Sequence, residues 1–270
     1  MNEERPAPRV LSIAGSDSSG GAGIQADIKT IAMLGGYAMT AITAVTAQNS
    51  CGVQSAEVLQ PDFVMDQVES CLSDIGADAI KIGMLGSPEI AGRLADRLET
   101  FSGPVVFDPV MVATSGSVLA DEATVAAFGS LMQIATLVTP NLPELAALTG
   151  RDTIAPDEVF DAARQLAEAQ DTIVLAKGGH GDGDQVIDYV VSSGGKIASF
   201  GHQRIETAHT HGTGCTLSSA IATMLAHGQP LTHAIRIARA FTRAAIEQAP
   251  GFGAGSGPLG HHAVRKLSGD

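Results

Sequence analysis

The sequence predicts an α/β protein of three α/β/α layers, a mostly parallel central sheet with helices on both faces and an antiparallel hairpin at one edge. Three observations predict it. Apolar β-type runs alternate with helical patterns almost from end to end, as in successive βαβ units. Several runs are continuously apolar, the signature of strands covered on both faces. The strands after Ala176 follow one another through Gly-rich turns with no helix between them, which reads as hairpins. The 270 residues carry no repeat and no low-complexity linker, so one domain over residues 1–270 is expected, with residues 1–8 flexible.

Strands are predicted at Val10–Ala14, Ala38–Ala44, Val53–Leu59, Ala79–Ile82, Val105–Asp108, Ala135–Val138, Thr172–Ala176, Val186–Val191 and Lys196–Phe200. Between and after them lie predicted helices at Ile24–Leu34, Pro61–Ile75, Pro88–Thr100, Ala120–Met132, Asn141–Leu148, Pro156–Glu168, Gly214–Ala226 and Leu231–Gln248. Pro61, Pro88 and Pro156 suit the first turn of a helix, where the missing N–H costs nothing, and Ser87 is a natural N-cap.

Composition narrows the function classes. There are 16 Lys+Arg against 29 Asp+Glu, a formal charge of −13, and no basic residue between Leu98 and Gly150. Binding nucleic-acid backbones draws on clustered cations, so nucleic acid is excluded as a bulk partner. The uncharged stretch Thr30–Ala56 is broken by Gly35, Gly36, Gln48 and Asn49, so it reads as helix end, turn and strand and not as a membrane span. The start, Met1–Arg9, is charged and lacks an apolar core, so no secretory signal is expected. Cys51, Cys71 and Cys215 are odd in number with no C-x-x-C spacing, which supports neither a disulfide framework nor a zinc site. A cytoplasmic protein is expected. If such an acidic chain handles phosphate, it must do so with backbone N–H groups, a metal ion and few placed cations.

In open α/β sheets ligands sit beyond the carboxyl ends of the strands. Five segments there concentrate small and polar residues. Gly15–Gly23 leads from a strand into a helix, where glycines allow close approach and free N–H groups face a ligand. Thr210–Thr216 runs into a long apolar helix, and a helix mouth suits developing negative charge. Cys215 falls in that first turn, where a thiol pKa is usually depressed; equally it is a small residue turned to the core. Asn141 and Glu144 have the spacing of a capping box, which accounts for both without function. Asp108 and Lys177 each end a strand, and ion pairing is the ordinary reading of either. Two nucleotide motifs are ruled out: Gly255–Gly260 matches Gly-x-Gly-x-x-Gly but follows a helix, and Gly195-Lys196 is followed by Ile197.

Seven segments in order resemble the hydroxymethylpyrimidine/phosphomethylpyrimidine kinases of thiamin biosynthesis, within the ribokinase-like superfamily. They are Ile13–Asp27, Thr46–Asn49, Lys81–Leu85, Asp108–Met111, Thr139–Glu144, Lys177–His180 and His211–Thr216. The resemblance implies a ribokinase-like fold and ATP-dependent phosphorylation of 4-amino-5-hydroxymethyl-2-methylpyrimidine, then of its monophosphate. It places Gln48, Asp27, Gly15, Met84 and Val110 around the pyrimidine, with Gln48 pairing to a ring nitrogen and the adjacent amine. It makes Gly212, Thr213 and Gly214 the anion hole and Cys215 the base where many superfamily members carry Asp. Lys177, Asn141 and Thr213 fall to ATP, and Glu144 with Asp108 to Mg²⁺. A homodimer is implied. The competing readings are a pyridoxal/pyridoxine kinase of the same fold and a non-catalytic pyrimidine sensor.

Overall fold

In the computed structural model, which describes residues 6–113, 116–180 and 185–265, nine strands form one sheet in the order β3-β2-β1-β4-β5-β6-β7-β8-β9. They are β1 Arg9–Asp17, β2 Tyr37–Asn49, β3 Gly52–Val58, β4 Ala79–Ile82, β5 Val105–Phe107, β6 Leu137–Val138, β7 Val174–Ala176, β8 Gln185–Ser192 and β9 Gly195–Gln203. The strands from β2 across to β7 run parallel, and β8 and β9 add antiparallel at one edge. The opposite edge is also antiparallel, because β3 folds back on β2 through a short turn at Ser50 and Cys51. The sequence reading expected a hairpin at one edge only.

Eight helices cover the sheet: α1 Gly23–Met33, α2 Pro61–Asp74, α3 Pro88–Leu98, α4 Glu122–Ile134, α5 Leu142–Leu148, α6 Val159–Gln170, α7 Thr213–Ala226 and α8 Leu231–Glu247. Successive strand residues point to opposite faces, and this splits the interior into two cores. Leu11, Ile13, Ile80, Ile82 and Phe107 pack with α2 to α6, whereas Val10, Ala79 and Val106 pack with α1, α7 and α8. Pro61 and Pro88 occupy first-turn positions, and the Ser87 side chain accepts the Ile90 N–H. Pro156 lies in the turn before α6 and not within it. Of the eight residues expected to be flexible, 1–5 lie outside the described residues. Pro8 is buried, and its carbonyl accepts the Tyr37 N–H.

From β1 the chain steps to β2 on one side and later to β4 on the other, so the sheet has its topological switch point there. The crevice beyond these strand ends is where such folds place ligands.

Candidate active site

A cavity of about 1160 Å³ opens at that switch point and continues along the carboxyl ends of β5 to β7. That is at the large end of ligand pockets, which run to about 1,000 Å³. Of the residues singled out from the sequence, Gly15, Gln48, Met84, Asp108, Val110, Asn141, Glu144, Lys177, Gly212, Thr213, Gly214 and Cys215 line it. Asp27 does not.

The centre of the cavity joins a helix mouth to a charged cluster. Gly212 is the N-cap of α7 in the left-handed conformation, φ 85°, and a Cβ there would fall 1.9 Å from the Gly21 carbonyl oxygen. Only glycine fits. One residue into the helix, a Cβ on Gly214 would stand 3.3 Å from Asp108 Oδ2 and 3.4 Å from Lys177 Nζ. The open backbone N–H groups of α7 therefore abut the cluster directly. Lys177 Nζ donates to Asp108 Oδ1 at 2.9 Å and lies 4.0 Å from Glu144 Oε2. The two lone charges noted at strand ends are thus partners of each other. Asn141 and Glu144 form the anticipated capping box at the start of α5, and both still face the cavity. Burial, with the nearby Asp108 charge, pushes Glu144 up to about 7 against the pull of Lys177. Asp108 and Glu144 offer only oxygen, the donor set of a hard cation shared with phosphate oxygens. The described residues contain no cluster of three or more metal-ligating side chains, so Mg²⁺ fits here only jointly with a phosphorylated ligand.

The thiol of Cys215 departs from the expectation of a depressed pKa. Burial pushes it up to about 11, overriding the charge of Lys81. A thiol raised that far is mostly protonated near neutrality. The helix-start rule assumes a thiol well solvated at the dipole, whereas this one is half-buried in the cavity wall, where desolvation outweighs the hydrogen bond from the Gly23 N–H and the charge of Lys81.

Asp27 is corrected by its surroundings. It is fully buried behind the cavity wall, accepting from Ser12 Oγ at 2.6 Å and Lys81 Nζ at 2.8 Å. Lys81 is also fully buried and stays protonated, held up by Asp27 despite the cost of burial. The pair lies beneath the ligand floor, joining β1, α1 and β4.

Sequence reasoning missed three groups. Asp17 and His211 are buried side by side, His211 Nε2 lying 2.9 Å from Asp17 Oδ2 and 3.3 Å from the Gln48 amide nitrogen. Both were visible in motifs, but only the fold brings residues 17, 48 and 211 together. The second is a basic wall: Arg204, Arg236, Arg239 and Arg243 line the far end of the cavity. Here a signal existed, since positions 236, 239 and 243 have the i, i+3, i+7 spacing of one helix face. The third is Gly255–Gly260, set aside as a nucleotide motif. It braces the α7 mouth instead: the Gly257 carbonyl accepts the His211 N–H, and Gly260 donates to Ala245 O.

Comparison with known proteins identifies the family and the fold. Residues 17–260 match the family model described as phosphomethylpyrimidine kinase. The hydroxymethylpyrimidine/phosphomethylpyrimidine kinase of Rhizobium meliloti is 46% identical over 93% of this chain and 96% of its own length. The crystal structure of phosphomethylpyrimidine kinase from Clostridium difficile aligns with a TM-score of 0.77 at 38% identity, covering 88% of this chain and 99% of that one. The pyridoxal kinase from Staphylococcus aureus, in complex with AMP-PCP and pyridoxal, aligns at 0.87 and 33% identity over 97% and 96%. The chain spans about a third to about half the length of the multifunctional and bifunctional thiamine biosynthesis proteins it also matches.

Proposed function

The chain belongs to the phosphomethylpyrimidine kinase family, and on that premise we propose that it transfers phosphate from ATP to 4-amino-5-hydroxymethyl-2-methylpyrimidine and then to the monophosphate. The observation that carries this is the contact of the α7 mouth with the Lys177–Asp108–Glu144 cluster. A phosphoryl group in flight spreads negative charge over its equatorial oxygens, so its transfer is a matter of positioning and electrostatic support. Gly212, Thr213 and Gly214 supply N–H groups along a helix dipole. Lys177 supplies a point charge, and Asn141 with Thr213 borders the ATP phosphates. Mg²⁺, shared by Glu144 and Asp108 with those phosphates, would neutralise charge on the reacting nucleotide.

On the acceptor side, Gln48 reads the aminopyrimidine edge between Gly15 and the apolar walls Met84 and Val110, and the hydroxymethyl group faces Cys215. Because the Cys215 thiol is raised to about 11, general-base help from it is rationed by the small thiolate fraction near neutrality. With Cys215 as base, log(kcat/KM) rises with pH above 7, tracking that fraction. Cys215→Ser then lowers turnover by orders of magnitude, flattens the rise and keeps pyrimidine binding. Near-normal turnover in that variant removes Cys215 as base and leaves positioning alone.

The deciding assay supplies Mg·ATP with the free alcohol, its monophosphate or pyridoxal, and follows ADP release. Faster transfer to the two pyrimidines supports the proposal. Transfer to pyridoxal alone gives the pyridoxal kinase reading, which the 33% identity to the Staphylococcus aureus enzyme supports less well than the 46% identity to the Rhizobium meliloti kinase supports the pyrimidine reading. No ATP consumption with any acceptor gives a pyrimidine sensor. We also propose a single kinase domain, since all nine strands join one sheet, acting as a cytoplasmic homodimer. The homodimer rests on the family resemblance and the compartment on the charged start and cysteine usage of the sequence; sedimentation and cell fractionation check them. Among the described residues no helix is long and apolar enough to cross a membrane.

A further inference from the structure

An amide reads a ring only if its oxygen and nitrogen are held in a fixed order. Gln48 meets two neighbours: its Nε2 faces His211 Nε2 at 3.3 Å, and its Oε1 faces Thr46 Oγ1 at 3.2 Å. Asp17 is buried, yet hydrogen bonds from His211, Ser19 and the Ala22 N–H hold its carboxyl down to about 2, so at neutral pH it only accepts. The His211 nitrogen 2.9 Å from it must therefore carry hydrogen. That N–H is set against the N–H of Gln48, donor against donor. Thr46 has one hydroxyl proton, which the Ser16 carbonyl takes at 3.0 Å. A half-turn about the last side-chain bond of Gln48 relieves both contacts: Nε2 donates to a lone pair of Thr46 Oγ1, and Oε1 takes a share of the His211 N–H, whose main acceptor stays Asp17 Oδ2.

We propose that Asp17 and His211 are positioning residues that hold the Gln48 amide with its oxygen toward His211, and so select a ring carrying an amine beside its hydroxymethyl group. His211 directly precedes the Gly212–Cys215 turn, which puts the amide oxygen on the transfer side. Outward from the hydroxymethyl carbon, the aminopyrimidine presents an amine and then a ring nitrogen. The amine meets the oxygen, and the ring nitrogen meets the remaining amide N–H. With the amide reversed, both contacts are mismatched. The His211 ring has one seat, because a Cβ on Gly21 would fall 2.3 Å from its Cδ2.

This inference rests on Gln48 reading the ring. The test is calorimetric affinity for the aminopyrimidine alcohol and for its analogue lacking the 4-amino group. His211→Phe keeps a packed ring without the N–H, and the preference for the amine falls about tenfold. His211→Gln loses the ring but keeps an amide donor, and it retains more of the preference. Preference kept by the Phe variant, or lost equally by both, overturns the proposal. So does an Nδ1–H tautomer of His211 in nitrogen NMR of the wild-type protein, a readout independent of how the variants fold. Gln48→Ala separates the two levels. If it leaves the preference intact, the reading of Gln48 has failed; if it abolishes a preference that survives in His211→Phe, only the positioning role has failed.

Discussion

At the scale of single residues, burial outweighs the local rule. His261 sits under the α7 mouth with Nε2 2.7 Å from Thr216 Oγ1. Burial, helped by the Lys29 charge, lowers it from 6.5 to about 4. Between those values the unfolded chain binds a proton that the native state refuses, so stability falls as pH drops through this window. The gap corresponds to about 3 kcal/mol. Glu144, raised to about 7, acts with the opposite sign, costing stability as pH rises from 4.5. Asp17 loses its contribution only as pH falls from 3.8 toward 2. The clean measurement is therefore a difference: urea midpoints of wild type and His261→Gln, compared from pH 7 to pH 4. The wild type is expected to lose ground relative to the variant across that range, and parallel curves would assign the low pKa to no stability effect. None of this was legible in the sequence, where His261 is one histidine of eight. The same gap between position and environment hid the upward shift of the Cys215 thiol and the full burial of Asp27 behind the cavity lining.

Elements were far more legible than environments, because strand and helix signals are local. Even the two-residue strand Leu137–Val138 fell inside a predicted run. What resisted reading was continuation. β1 runs on through Gly15–Asp17 and β2 through Gln48 and Asn49, in segments whose glycine and polar content signals loop. These extensions carry Gly15 into the cavity at a register shift between Ala14 and Ser16, and Gln48 on backbone paired to Val53 of β3. Two close backbone approaches hold the helix mouths: Gly23 at φ 56° lies against Gly15 of β1, and Gly212 at φ 85° against Gly21 in the loop before α1. Gly212→Ala must therefore part the two loops as well as strain the cap. It is expected to cost more than about 2 kcal/mol of stability and at least about a hundredfold in turnover. Asn141→Ala removes one cap at the opposite wall and is expected to cost about 1 kcal/mol. Chemical denaturation with steady-state rates separates the cases. A turnover loss in Gly212→Ala no larger than in Asn141→Ala would argue against an anion hole at α7.

For the whole molecule the question is how a chain of charge −13 attracts ATP. The sequence argument required few placed cations, and the fold supplies more than it anticipated. Lys177 and four arginines share one cavity, out of 16 cations in all. Part of that charge is matched locally, Arg239 to Asp188 and Arg243 to Glu247, while Arg236 is exposed at the rim. Near 0.1 M salt the screening length is about 10 Å. A triphosphate entering the cavity lies within that distance of the lining cations, whereas most surface carboxylates are screened from it. The local field should therefore win over the net charge. The expected outcome is that kcat/KM for Mg·ATP falls about two- to fivefold between 0.05 and 0.3 M salt. Arg236→Gln should make the salt slope shallower and raise the KM for ATP, leaving that for the pyrimidine unchanged. A rate that climbs with salt would mean the repulsive net charge governs approach. The arginine stripe of α8 would then be a structural face and not a nucleotide wall.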